Sequence, residues 1–171
     1  MNLTTKKGDG GIDFKAFEVS EHNVKVCCEI VKERFKADAE RLGIKVKIPK
    51  IEARAVVDED FEKLRMYSHQ EVMNCGNPIA IAEERRTQRF EYGINHPIDK
   101  DWIKACNGWT HIVWNDEQCK EIKWAEIYIR ASIYDKNPKK FYAVLEHEVA
   151  HALFPNVIFK ENELKGDYEN D

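Results

Sequence analysis

Five residues in the last third of the chain, His147-Glu148-Val149-Ala150-His151, have the types and spacing for metal-assisted hydrolysis. On a helix, four residues turn ~400° and rise ~6 Å, so the two imidazoles leave one face a turn apart. Both can then reach a single Zn²⁺ at ~2.0–2.1 Å. Glu148 is rotated ~100° from His147 and ~60° from His151, off the seam that would hold the metal but within reach of a water beside it. Zinc lowers the pKa of such a water toward ~7. A carboxylate at hydrogen-bond distance can take its proton and later pass it to a leaving amine. His147 and His151 are therefore the candidate metal ligands, Zn²⁺ the candidate cofactor and Glu148 the candidate catalytic base. With only 6 His in 171 residues, chance would produce this pattern about 0.02 times.

A catalytic zinc usually has three protein ligands and one open position. The motif supplies two. Acids downstream, Glu161, Glu163, Asp167, Glu169 and Asp171, are candidates for the third, and so are the more distant His69, His96 and His111. His111 falls in an expected strand, where a packing role is the default. A donor for a developing oxyanion is also needed. Tyr128, Tyr142, Tyr168 and Arg130 are available, and the sequence does not choose among them. Trp102, Trp109, Trp114 and Trp124 read as core and cleft walls rather than a base-stacking platform.

Composition narrows the class of partner. The 27 basic and 31 acidic residues leave a net charge of −4, against the basic surplus of a dedicated nucleic-acid binder. Hydrophobic residues at 43% suffice for a core, so global disorder is not expected. No apolar run approaches the ~18 residues that cross a bilayer, and no apolar stretch follows the N-terminal lysines. The expectation is a cytoplasmic protein with no membrane or nucleic-acid partner. The five cysteines are odd in number and form no CxxC pair; they read as reduced thiols packed as small hydrophobes.

The elements that must position the motif follow from periodicity. Residues 1–11 are polar and Gly-rich, a flexible lead-in. Residues 12–155 form one domain, and 156–171 a polar tail that is placed to bring back the third ligand. Ile12 to Val19 alternates as a strand. Ser20 is an N-cap for a long helix carrying Val24, Cys27, Cys28, Val31, Phe35, Ala39 and Leu42, with Gly43 just past its end. Strands are expected at 44–48, 51–57, 79–82, 89–94, 110–114 and 124–131, and the charged segment 58–70 is ambiguous. Asn137-Pro138 caps the last helix. There Phe141, Leu145, Val149 and Leu153 make one apolar stripe, and Pro155 ends it. The class is α+β.

Residues 124–153, a strand, a short connection and a helix reading VLEHEVAHAL, resemble the core of the zincin metallopeptidases. The wider order resembles the N-terminal half of matrixin-like zincins: long N-terminal helix, mixed sheet with a cleft-edge strand, then the active-site helix. The resemblance implies a zinc-dependent peptidase acting on a peptide or protein substrate. It also implies that the strand before the motif helix borders the cleft, so that Ala125, Glu126, Ile127 and Tyr128 would pair with an extended substrate. The chain departs from the metzincin pattern, which continues with a glycine and a histidine where this sequence has Phe154 and Val157. A downstream glutamate would instead resemble the gluzincin arrangement, with Glu163 favoured and Glu161 as the alternative. A competing expectation is a zincin scaffold without catalysis, gripping a partner's extended segment.

Overall fold

Burial follows the alternation of Asp13–Glu18 and Lys50–Val56: Phe14 and Ala16, then Ala53 and Ala55, are buried while Lys15 and Arg54 between them are more open, and Val56 is buried on the other face of the sheet. A computed structural model describes residues 3–7, 12–41, 43, 47–82, 84–85, 106–118 and 121–154. It has an α+β architecture around a five-stranded mixed sheet. The strands are β1 (Thr4–Lys7), β2 (Asp13–Glu18), β3 (Lys50–Val56), β4 (Gly108–Trp114) and β5 (Ile122–Arg130), in the spatial order β1-β2-β3-β5-β4. β3 and β5 are parallel, while β4 runs antiparallel to β5 along the sheet margin. The helices are α1 (Glu21–Arg41), α2 (Asp58–Asn74), α3 (Ala131–Lys136) and α4 (Pro138–Leu153). None of the described helices is long and apolar enough to cross a membrane.

Strand alternation sorts the core into two layers. Ala53, Ala55, Ile127 and Ile129 point to one face, where Val24, Cys27, Cys28 and Val31 of α1 meet Phe141, Leu145 and Val149 of α4. Phe14, Ala16, Val56, Trp109 and Tyr128 point to the other, against Phe61 and Leu64 of α2. The stripe at four-residue spacing on α4 is thus buried, each large side chain contributing about 1.5–3 kcal/mol. Both expected caps form. The Ser20 hydroxyl accepts from the Asn23 amide (3.2 Å), and the Asn137 side chain accepts from the Lys140 amide (3.2 Å). Gly43 turns the chain past α1 at φ +66°, a conformation that L side chains rarely adopt.

Several expectations change. Thr4–Lys7 lies in the segment read as a flexible lead-in, yet it pairs antiparallel with β2 as an edge strand. Residues 79–82 are helical rather than extended, because the Asn77 side chain accepts from the Ile79 and Ala80 amides (3.0 and 3.3 Å) and Pro78 starts the turn. The ambiguous charged segment is helix α2. Lys47 and Ile48 are not strand, while 44–46 and 89–94 lie outside the described residues. Cys27, Cys28 and Cys106 are buried as expected, but Cys75 is exposed. Burial, the largest influence, pushes the Cys27 thiol up to about 11, so it stays protonated and unreactive at neutral pH.

α2 is anchored by charge as well as by apolar contact. Arg65 pairs with Glu84 at 2.9 Å, and His69 Nδ1 stands 3.0 Å from the same carboxylate. Burial alone would raise the Glu84 carboxyl, but Arg65 and His69 outweigh it and hold the group at about 2. A depressed carboxyl stabilises the fold fully above the ordinary glutamate pKa and loses that share as pH falls toward about 2. Glu84→Gln removes a charge partner of the buried Arg65. It is expected to cost about 3–5 kcal/mol at neutral pH and to flatten the acid limb of stability below pH ~4.3. Urea unfolding across that range measures both.

Candidate metal centre

The motif residues sit on the last two turns of α4, a helix held on one side by its buried stripe and tied to α1 by the Arg34–Glu146 pair at 3.1 Å. His147 and His151 are one turn apart, and their Nε2 atoms approach to 3.0 Å with the rings crossed at 80°. That separation suits an N–H···N hydrogen bond between neutral rings, and it equally suits two lone pairs directed at one cation. It is shorter than two Zn–N bonds of ~2.0–2.1 Å end to end, so one ion can bond both. The two imidazoles would supply two of the four positions of a tetrahedral zinc ion.

Glu148 is only 3% exposed. A buried carboxylate needs hydrogen bonds, and β4 provides one. Thr110 Oγ1 lies 2.7 Å from Glu148 Oε2 and 2.9 Å from the Glu148 carbonyl oxygen, so its single proton is shared between them. This holds the carboxylate against the sheet margin. Thr110 was not among the residues that the sequence singled out. The available signal was parity: Gly108, Thr110 and Ile112 pair with Ile129, Ile127 and Ala125, which face α4.

Gly108 makes this contact possible. A Cβ there would meet the Tyr128 carbonyl oxygen at 2.9 Å and Val144 Cγ1 at 3.0 Å, with Glu148 Cγ at 3.4 Å. The strand and the helix approach too closely for any side chain. Gly108→Ala is expected to destabilise by about 1–3 kcal/mol through overpacking, seen as a lower urea midpoint with an unchanged slope.

The remaining site expectations divide. Glu161 and Glu163 lie outside the described residues, as do Asp167, Glu169, Asp171, His96 and Tyr168. Among the described residues, no group of three His, Cys, Asp or Glu is placed to hold a metal. His69 is engaged with Glu84, and His111 lies on the face of β4 opposite Thr110. Ala125, Glu126, Ile127 and Tyr128 do not lie on a sheet edge. β5 is interior, hydrogen-bonded to β3 on one side and β4 on the other, so it has no edge to offer a peptide. Of the oxyanion candidates, Tyr128 stacks on Trp109 on the α2 face. The Arg130 guanidinium donates to the Cys106 carbonyl (2.7 Å). The Tyr142 hydroxyl accepts from Asn23 of α1 (3.1 Å). Trp109 is a core residue, and Trp114 and Trp124 are half-buried.

Comparison with protein families, curated proteins and solved structures finds no match.

Proposed function

We propose that this chain is a zincin-like zinc metallopeptidase that cleaves peptide bonds with Glu148 as general base and then general acid. One observation carries the reading: two imidazole nitrogens one helical turn apart converge to 3.0 Å beside a buried carboxylate. His147 and His151 would hold the ion, with a third ligand drawn from the tail acids Glu163 or Glu161. Bound there, zinc would polarise the scissile carbonyl and acidify the attacking water. Glu148 takes the proton from that water and delivers it to the departing amine. Thr110 bonds one carboxylate oxygen and helps to hold the group in place. Extended substrate would align along the outer margin of β4, the strand that stands beside Glu148 and closes the sheet on that side among the described residues.

Protein purified without chelators is expected to carry close to one equivalent of zinc and to cut a mixture of unstructured peptides. Treatment with 1,10-phenanthroline should abolish cutting, and added zinc should restore it. A chain without bound zinc that retains extended peptides uncut would replace this reading with that of a binding scaffold.

A further inference from the structure

The register of the sheet fixes where the backbone of β4 points. Along an antiparallel pair of strands, hydrogen-bonded and non-hydrogen-bonded residue pairs alternate. The Arg130 amide donates to the Asn107 carbonyl (3.1 Å), one step before the Gly108–Ile129 pair. Gly108–Ile129 is therefore a non-hydrogen-bonded pair, and so, two residues on, is Thr110–Ile127. The N–H and C=O of Thr110 thus point away from β5, toward the outer margin of the sheet, where no strand lies among the described residues. On that margin the Gly108 carbonyl accepts from the Cys106 thiol (3.1 Å), and Thr110 presents the next outward pair of backbone groups along the strand. The side chain of the same residue turns to α4. Its hydroxyl stands 2.7 Å from Glu148 Oε2 and 2.9 Å from the Glu148 carbonyl oxygen. Strand and helix are close-packed at this point, since Gly108 has no room for a Cβ against Val144.

We propose that Thr110 sets the register between substrate and base, an inference that rests on the peptidase reading. Its backbone N–H and C=O pair with an extended peptide laid along β4, and its hydroxyl holds the Glu148 carboxylate. One residue then fixes both where the peptide backbone lies and where the base stands. The backbone of Thr110 is a substrate contact, and its hydroxyl is a positioning group. Only alternate residues of an added strand turn their backbone groups to the edge they join. The substrate class follows: extended peptides with a free N–H at the position opposite Thr110. A proline there, which has no N–H, is refused.

The two halves of the inference separate by experiment. Thr110→Val removes the hydroxyl and keeps the branched shape and the backbone. It is expected to lower kcat roughly 10- to 150-fold, the worth of a hydrogen bond to a charged group, with KM and zinc content unchanged. Thr110→Ser, which keeps the hydroxyl, should retain most of the parent's kcat. Backbone pairing is read from binding alone. The zinc-loaded Glu148→Gln chain is titrated by calorimetry with a peptide that the parent chain cuts, and with copies of that peptide methylated at one backbone nitrogen each. Methylation at alternate positions should weaken binding by at least roughly 2- to 12-fold, the worth of one neutral hydrogen bond, and methylation between them should change it little. The inference is overturned if Thr110→Val keeps the parent's kcat, if Thr110→Ser loses as much as Thr110→Val, or if methylation weakens binding without alternation. A parent chain that holds no zinc and cuts no peptide removes the peptidase reading and this inference with it. A parent that cuts, beside a Thr110→Val that cuts equally fast, removes this inference alone.

Discussion

Glu148→Gln is expected to keep its zinc and lose peptide hydrolysis by about 10²–10⁴-fold, the usual share of a positioned general base. The substitution isolates the chemistry because it changes so little else. Gln has the size of Glu, and its amide oxygen can still accept the Thr110 hydroxyl bond that now reaches Oε2 at 2.7 Å. The side chain is buried among α4, β4 and β5, so an isosteric replacement avoids a cavity. It also removes a buried negative charge, so the fold should not be weakened and its thermal midpoint should stay at or above that of the parent. The imidazoles of His147 and His151 are untouched. Metal content by atomic absorption should therefore remain near one equivalent while kcat collapses and KM changes little. If the variant cleaves as fast as the parent, Glu148 is not the base, whatever the metal content.

Why the motif helix was legible and its neighbourhood was not comes down to the range over which each signal acts. α4 announces itself locally. Asn137-Pro138 caps it, Phe141, Leu145 and Val149 line one side, and the paired histidines fall a turn apart by helical geometry alone. The same Asn-Pro signature at Asn77-Pro78 marks the turn at 78–82. There the apolar run Ile79 to Ala82 imitated a strand, since a short apolar segment does not separate the two periods. α2 was obscured because its buried side includes Arg65 and His69, whose charge and polarity are met by Glu84 rather than by water. β5 misled in the same way. Glu126, Tyr128 and Arg130 alternate with apolar residues as in a half-buried strand, and the zincin resemblance implied a place at the cleft edge. In the fold, Arg54 pairs with Glu126 at 2.7 Å, Trp109 covers Tyr128, and Arg130 lies over the Phe61 ring at 4.4 Å. The polar row is a second buried layer, and the strand is interior. Strand order follows from which distant segments pair, here β3 with β5 in parallel, and local alternation carries no record of that. Thr110 was hidden for the same reason: its importance comes from the helix that β4 lies against.

His147→Ala is expected to cost the chain its zinc, and the contrast with Glu148→Gln separates binding from chemistry. Removing even the hydrogen-bond support of a metal ligand costs about 10–100-fold in affinity, and removing the ligand itself should cost more. Occupancy should fall well below half an equivalent at micromolar zinc. Folding should survive, because Ala is the best helix former and the stripe that docks α4, Phe141, Leu145 and Val149, lies elsewhere on the helix. Far-UV circular dichroism should thus match the parent. The thermal response should not. An ion that binds only the folded chain stabilises it by ~2.7 kcal/mol at a hundred times its dissociation constant, so added zinc should raise the midpoint of the parent and of Glu148→Gln but not of His147→Ala. A variant that kept both its zinc and the thermal shift would show that the ion sits elsewhere. The 3.0 Å approach of the two rings would then be an N–H···N bond between neutral histidines, with no part in holding a metal.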